Sequence, residues 1–203
     1  FIEDTCTKCH APMGRTHAYH TNTGLDIGGH YRFDTAKTQN HAREGVSCTV
    51  CHQMQDSDAD SGEYVISASD KVSFGQYTAP QSTRMSDVSG YRPEYGAHIE
   101  KSQLCSNCHT LYTPAIDPET GMPSGPNTGL PSAVTGFLEQ GPYLEWQNSV
   151  YVTGATQQAQ CQDCHMPPAA GNSTPSLGVD RSDVRQHLFH GAHDDGKLKG
   201  SVE

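Results

Sequence analysis

The sequence predicts a mostly irregular fold with short α-helices and little β, whose core is not chiefly polypeptide. Three observations predict it. Leu, Ile, Val and Phe total only 30 of 203 residues. Mean hydropathy is −0.66 and net charge −10, a composition that by itself places a chain close to the disordered class. Against that, the run Cys-x-x-Cys-His occurs four times and uses all eight cysteines.

The four runs are Cys6–His10, Cys48–His52, Cys105–His109 and Cys161–His165. C-x-x-C-H is the attachment signature of c-type haem: both thiols bond to the porphyrin edge and the His takes an axial position on iron. The cysteine set is therefore Cys6, Cys9, Cys48, Cys51, Cys105, Cys108, Cys161 and Cys164, with axial His10, His52, His109 and His165. With 12 His in the chain, a His after all four pairs by chance has odds on the order of 10⁻⁵. Other readings are weaker. Adjacent C-x-x-C pairs followed by His are not a disulfide framework. Gaps of 42, 57 and 56 residues between successive first cysteines are far wider than zinc-ribbon spacing. Thioredoxin-like redox pairs rarely occur four to a chain.

Four porphyrins resolve the conflict in composition. They supply flat apolar surface, and the polypeptide wraps them as one tetrahaem domain over residues 1–203. The apo-chain is expected to be largely unfolded, as in small metal-dependent domains. Ionised propionates make the holoprotein more acidic still, which argues against nucleic acid and anionic membrane surfaces as partners. No apolar run reaches the length of a transmembrane helix. The first haem cysteine follows Phe1 by five residues, so the expectation is a processed, exported product, extracellular, or periplasmic if monomeric.

Along the chain, residues 11–47 are rich in Gly, His and Thr with weak periodicity. Residues 62–77 alternate around Tyr64-Val65-Ile66 and Val72-Ser73-Phe74, which predicts a short hairpin. Gly96 to Thr110 predicts a helix running into the third motif. Residues 113–131, rich in Pro and Gly, predict a long surface loop. Pro142 is placed to open a helix to Tyr151. Residues 166–180 predict another loop, with the sequon Asn172-Ser173-Thr174.

Each haem needs a second axial ligand. Eight further His remain: His17, His20, His30, His41, His98, His187, His190 and His193. This surplus favours bis-His ligation throughout and hence low potentials, because thioether ligation raises them. His41 precedes Cys48 by seven residues and His98 precedes Cys105 by seven, a shared offset that suits a shared role. The cluster His187-x-x-His190-x-x-His193 supplies a candidate, His187 first. The pair His17 and His20 supplies another, with His20 favoured. A spare His is exposed or bonded to a propionate.

Several segments resemble a family of multihaem cytochromes. They are Arg43-Glu-Gly-Val-Ser-Cys-Thr-Val-Cys-His52, Tyr95-Gly-Ala-His-Ile-Glu-Lys-Ser-Gln-Leu-Cys-Ser-Asn-Cys-His109, Glu139-Gln-Gly-Pro-Tyr-Leu-Glu-Trp-Gln-Asn-Ser149, Cys161-Gln-Asp-Cys-His-Met-Pro167 and His187-Leu-Phe-His-Gly-Ala192. The resemblance is to the OmcE-like group of secreted tetrahaem cytochromes that polymerise into extracellular filaments. It implies His98 and His187 as distal ligands, and a head-to-tail homopolymer that passes one axial His across the subunit junction. Redox proteins or extracellular acceptors are the implied partners. Long-range electron transfer is then the expected function, with a soluble periplasmic shuttle and, behind it, a multihaem reductase as alternatives. Catalysis is disfavoured, since every motif ends in His and spare His suffice to close every iron.

Overall fold

A computed structural model describes residues 2–116, 119, 123–124, 136–172 and 180–191. The chain forms two compact units. One comprises Phe1–Ile99 with Gln103–Tyr143, the other Glu100–Ser102 with Leu144–Glu203.

The first unit opens with helix α1 (Ile2–His10), acidic in its first turn and basic in its last, the polarity that complements the helix dipole. Helix α2 (Pro12–Thr21) has Pro in its first turn, where the missing N–H costs no hydrogen bond. It ends on left-handed Asn22, φ 52°. Two one-turn helices follow, α3 (Phe33–Ala36) and α4 (Asn40–Arg43). Their core is small: Ala11, Ala18, Tyr31, Ala36 and Ala42, with Leu25 packed against it. Gly14 makes the α2–α4 contact possible, because a Cβ there would lie 2.5 Å from both Ala42 Cβ and Tyr31 Oη. Asp4 ties these pieces together. Its carboxylate accepts from Arg15 Nε (3.3 Å) and Nη2 (3.2 Å), Tyr19 Oη (3.0 Å) and the Tyr31 amide (2.9 Å). Burial alone would raise the Asp4 pKa, but these donors together hold it below the ordinary carboxylate range.

Next come α5 (Cys48–Gln53), β1 (Val72–Gly75), α6 (Ser82–Ser89) and β2 (Arg92–Tyr95), then a 3₁₀ turn at Ala97–Glu100. The unit continues through α7 (Gln103–His109), β3 (Leu111–Ile116), β4 (Pro123–Ser124) and β5 (Gly136–Gln140). Strand β1 pairs in parallel with β2, Val72 opposite Arg92. The hairpin expected over 62–77 is therefore absent: Ile66 instead bridges to Met54. A parallel partner twenty residues away cannot be read from local alternation. The helix expected over Gly96–Thr110 is broken between the 3₁₀ turn and α7. In the 113–131 segment, residues 113–116 continue β3, antiparallel to β5 on one side and β4 on the other. Most of the expected loop lies outside the described residues.

In the second unit, α8 (Pro142–Gln147, its first two residues belonging to the first unit) starts at the expected proline. It stops before Ser149, which caps a separate turn, α9 (Val150–Thr153), by accepting the Tyr151 amide. Helix α10 (Cys161–His165) follows, then the antiparallel pair β6 (Pro168–Asn172) and β7 (Asp180–Arg185). Residues 168–172 and 180 of the 166–180 segment are thus strand rather than loop. The sequon beyond Asn172 falls outside the described residues. Among the described residues, no helix is long and apolar enough to cross a membrane. The observed architecture is helical and irregular with short strands, as expected in kind.

Candidate functional site

All four C-x-x-C-H runs are helical: the first ends α1, the second opens α5, the third ends α7 and the fourth is the whole of α10. Helical spacing puts positions i, i+3 and i+4 on one face, so each turn aligns its two thiols and its imidazole. No cysteine is in a disulfide. Among the described residues, no three His, Cys, Asp or Glu side chains are grouped as a metal ion would need.

Two motif histidines are oriented from behind. His52 Nδ1 lies 2.6 Å from the Phe74 carbonyl, and His165 Nδ1 lies 2.5 Å from the His190 carbonyl. A carbonyl only accepts, so Nδ1 carries the proton and Nε2 the lone pair. That is how a protein fixes the tautomer and angle of a metal-binding imidazole. His52, Cys48 and Met85 also line an open cleft of ≈ 410 Å³ beside α5, with Thr49, Gln53, Ser73 and Tyr91. Its volume is within the roughly 300–1,000 Å³ of ligand sites. His10, His109 and His165 are exposed at the ends of their helices.

The first and third motifs meet. The turn 59–64 clamps them: the Gly62 amide donates to the Asn107 carbonyl and the Ser61 amide to the Thr110 carbonyl, at 2.6 and 2.8 Å. Tyr64 Oη donates to the Lys8 carbonyl at 2.8 Å, and Lys8 Nζ pairs with Glu63. Cys9 and Cys108 are hydrogen-bonded. That bond lowers the Cys9 pKa, with Lys8 adding to the effect against burial, and it raises Cys108 along with burial.

The fourth motif is held from outside. A five-residue helix has too few internal hydrogen bonds to stand alone. Ser102 Oγ accepts the Cys161 amide at 2.8 Å, and Gln160 Oε1 accepts the Ser102 amide at 2.7 Å. Gln160 and Asp163 complete a reciprocal capping box. Arg185 pairs with Asp163 at 2.7 Å and reaches the carbonyls of Gln162 and Met166 at 3.3 and 3.4 Å. The Cys164 pKa is raised, first by burial and then by Asp163.

The expected distal ligands differ in what they offer. His41 Nε2 is buried and has no hydrogen-bond partner, the state of a nitrogen kept for a metal rather than a proton donor. Its ring lies edge-on to His17, centroids 4.9 Å apart. His98 is buried, but its Nε2 donates to the Met54 carbonyl at 2.9 Å and its ring abuts Phe74. Its lone-pair nitrogen faces Gly96, where an added Cβ would lie 3.1 Å away, so a ligand role for His98 requires the ring to turn. His187 is exposed, with Nδ1 3.1 Å from the Arg185 carbonyl. His20 is exposed on α2. His30 belongs to the Asp26 turn, His190 serves His165, and His193 lies outside the described residues. Taken together, the thiol pairs, the tautomers set at His52 and His165 and the orphaned His41 nitrogen fit covalently attached haem. The carbonyls of Phe74 and His190, Ser102, and the Asp163–Arg185 pair were not anticipated. Only the charge inside the fourth motif could have been noticed in the sequence.

No protein-family model matches the chain, and no curated protein matches it. Among solved structures the chain is similar to a penta-heme cytochrome c552 from Thermochromatium tepidum, at 17% identity and a TM-score of 0.46. The similarity covers 93% of this chain and 42% of that one, so the chain spans about two fifths of the length of its structural neighbour.

Proposed function

We propose that the chain carries four covalently bound c-type haems and moves electrons through them, as a carrier rather than an enzyme. One observation carries the reading: four C-x-x-C-H turns, each helical, each aligning two thiols and an imidazole on one face. A bound haem supplies a one-electron iron couple. The chain's part is to fix the porphyrin edge at the thiols, orient the proximal imidazoles through Phe74 and His190 carbonyls, and offer distal imidazoles from His41, His98, His187 and His20. The clamp at residues 59–64 draws the first and third motifs together, the closeness that electron transfer needs. Intact-mass measurement of the exported protein tests this. Four haems attached are expected, falling to three in Cys105→Ala/Cys108→Ala; a wild-type chain without haem overturns the reading.

At the finer level, the chain is read as a single tetrahaem subunit of an extracellular, head-to-tail polymer. One distal His, from the His17/His20 tract, passes to a neighbour. The exposure of both side chains on α2 supports this. Electron microscopy of wild type and of His17→Ala/His20→Ala decides it. Filaments in the first and not the second are expected. A wild-type monomer at high concentration replaces the filament by a soluble shuttle.

A further inference from the structure

We propose that His17 is a positioning residue whose ring holds the His41 imidazole for an iron, and that His20 is the histidine of this tract presented to a second copy. The inference rests on the haem and filament readings above. A metal-binding imidazole needs something to fix its tautomer and ring angle. His52 and His165 each have a backbone carbonyl at Nδ1 for this. His41 has none. Its Nε2 is buried without a partner, and among the described residues neither nitrogen of its ring is hydrogen-bonded. A ring that can turn about two side-chain torsions must then be held by packing.

Helix α2 supplies that packing. Gly14, His17 and Ala18 stand at i, i+3 and i+4 and so share one face of the helix. That face meets α4: Ala18 and Ala42 belong to one buried cluster, and a Cβ on Gly14 would lie 2.5 Å from Ala42 Cβ. The close approach carries His17 against His41, the residue before Ala42. Their rings meet edge-on, centroids 4.9 Å apart with 69° between the planes, a geometry in which aromatic rings attract. His98, at the same seven-residue offset from its motif, is met in the same manner by Phe74, centroids 4.9 Å apart and 76° between the planes. A phenyl ring cannot ligate iron, so the shared arrangement marks the edge-on ring as a holder. His98 has a hydrogen bond to the Met54 carbonyl besides; His41 depends on the ring alone.

His20 lies further round α2, off the face that meets α4. It is exposed, and among the described residues it has no hydrogen bond, ion pair or ring contact. His17 is exposed too, but its ring is engaged with His41. Turning His17 outward to another subunit's iron would break that contact, whereas His20 gives up nothing. The two histidines therefore divide the work, one holding inward and the other offered outward.

The test is low-temperature electron paramagnetic resonance and cyanide titration of the ferric holoprotein, with filaments scored by electron microscopy. The angle of an axial imidazole plane sets the g-values of a low-spin ferric haem. His17→Ala is expected to move the g-values of one haem while leaving it low-spin. Cyanide should bind that haem about two- to tenfold more tightly, the worth of one aromatic pair, and filaments should persist. His17→Phe, which copies the Phe74 ring, restores the wild-type g-values and cyanide affinity. His20→Ala leaves that haem alone and abolishes filaments. Should His17→Ala fail to fold, His17→Leu read against His17→Phe decides instead. Unmoved g-values in His17→Ala, a high-spin haem there, or no rescue by phenylalanine overturns the positioning role. Filaments lost in His17→Ala and kept in His20→Ala overturn the division, and a wild-type monomer overturns the part given to His20. Four low-spin haems in His41→Ala overturn the ligand reading of His41, and a wild-type mass without four haems overturns the haem reading itself.

Discussion

At the scale of single residues, the side chains proposed to hold haem were legible and those that orient them were not. Cys6 through His165 announce themselves by type and spacing. Phe74 and His190 contribute backbone carbonyls, which every residue has, from 22 and 25 residues away, so their identities carry no signal. The same limit separates His41 from His98. Both share the seven-residue offset, yet only His41 keeps a buried nitrogen without a partner. His41→Ala is therefore expected to turn one low-spin haem high-spin, seen in the ferric absorption and electron paramagnetic resonance spectra; four low-spin haems in the variant strike His41 from the ligand set. His98→Ala reads the other candidate in the same way. Asp4 is a second residue-scale prediction. Its pKa is depressed by Arg15, Tyr31 and Tyr19 against burial. A depressed carboxylate stabilises the fold above its unfolded pKa, and that contribution is lost as pH falls through the folded value. Denaturation of the holoprotein should show Asp4→Asn less stable by about 1–3 kcal/mol at neutral pH, with the gap closing on the acid side below about pH 4. A gap that persists at low pH would assign the loss to packing.

At the scale of elements, helices read better than strands. A proline marked α8, whereas α1 was not read from the sequence. The 62–77 segment misled because alternation names a strand and not its partner, and β1 found its partner in β2 across the intervening α6. The break between the 3₁₀ turn and α7 was equally hidden, since Ser102 leaves the helix to serve α10, a role set by tertiary contact. The turn at 59–64 is the element on which the first and third motifs depend. Gly62 has φ +74°, and a Cβ there would lie 2.5 Å from Lys8 Cβ. Gly62→Ala combines a left-handed strain with a clash, and about 1–3 kcal/mol of destabilisation is expected. Denaturant midpoints of the two holoproteins measure it, and an unchanged midpoint would show that the turn yields without cost.

At the scale of the whole molecule, composition told the truth about the interior. Ten hydrophobic residues are buried among those described, and four of them are alanines. Among the described residues, so small an apolar interior offsets little of the chain entropy lost on ordering them. The chain expressed without haem attachment should give no cooperative thermal transition and should be cut rapidly by protease; a sharp apo-transition would show a self-sufficient polypeptide core. What composition does not show is that stability is unevenly spread. Helix α10 borrows its hydrogen bonds from Ser102 on one side and from Arg185 and His190 on the other. The Cys161 amide, bonded to Ser102 Oγ, can meet solvent deuterium only when that outside support lets go. Its exchange rate is therefore a clock for the opening of residues 100–102, 161–166 and 185–190 together. The fourth site comes apart as one cooperative piece, or it does not come apart.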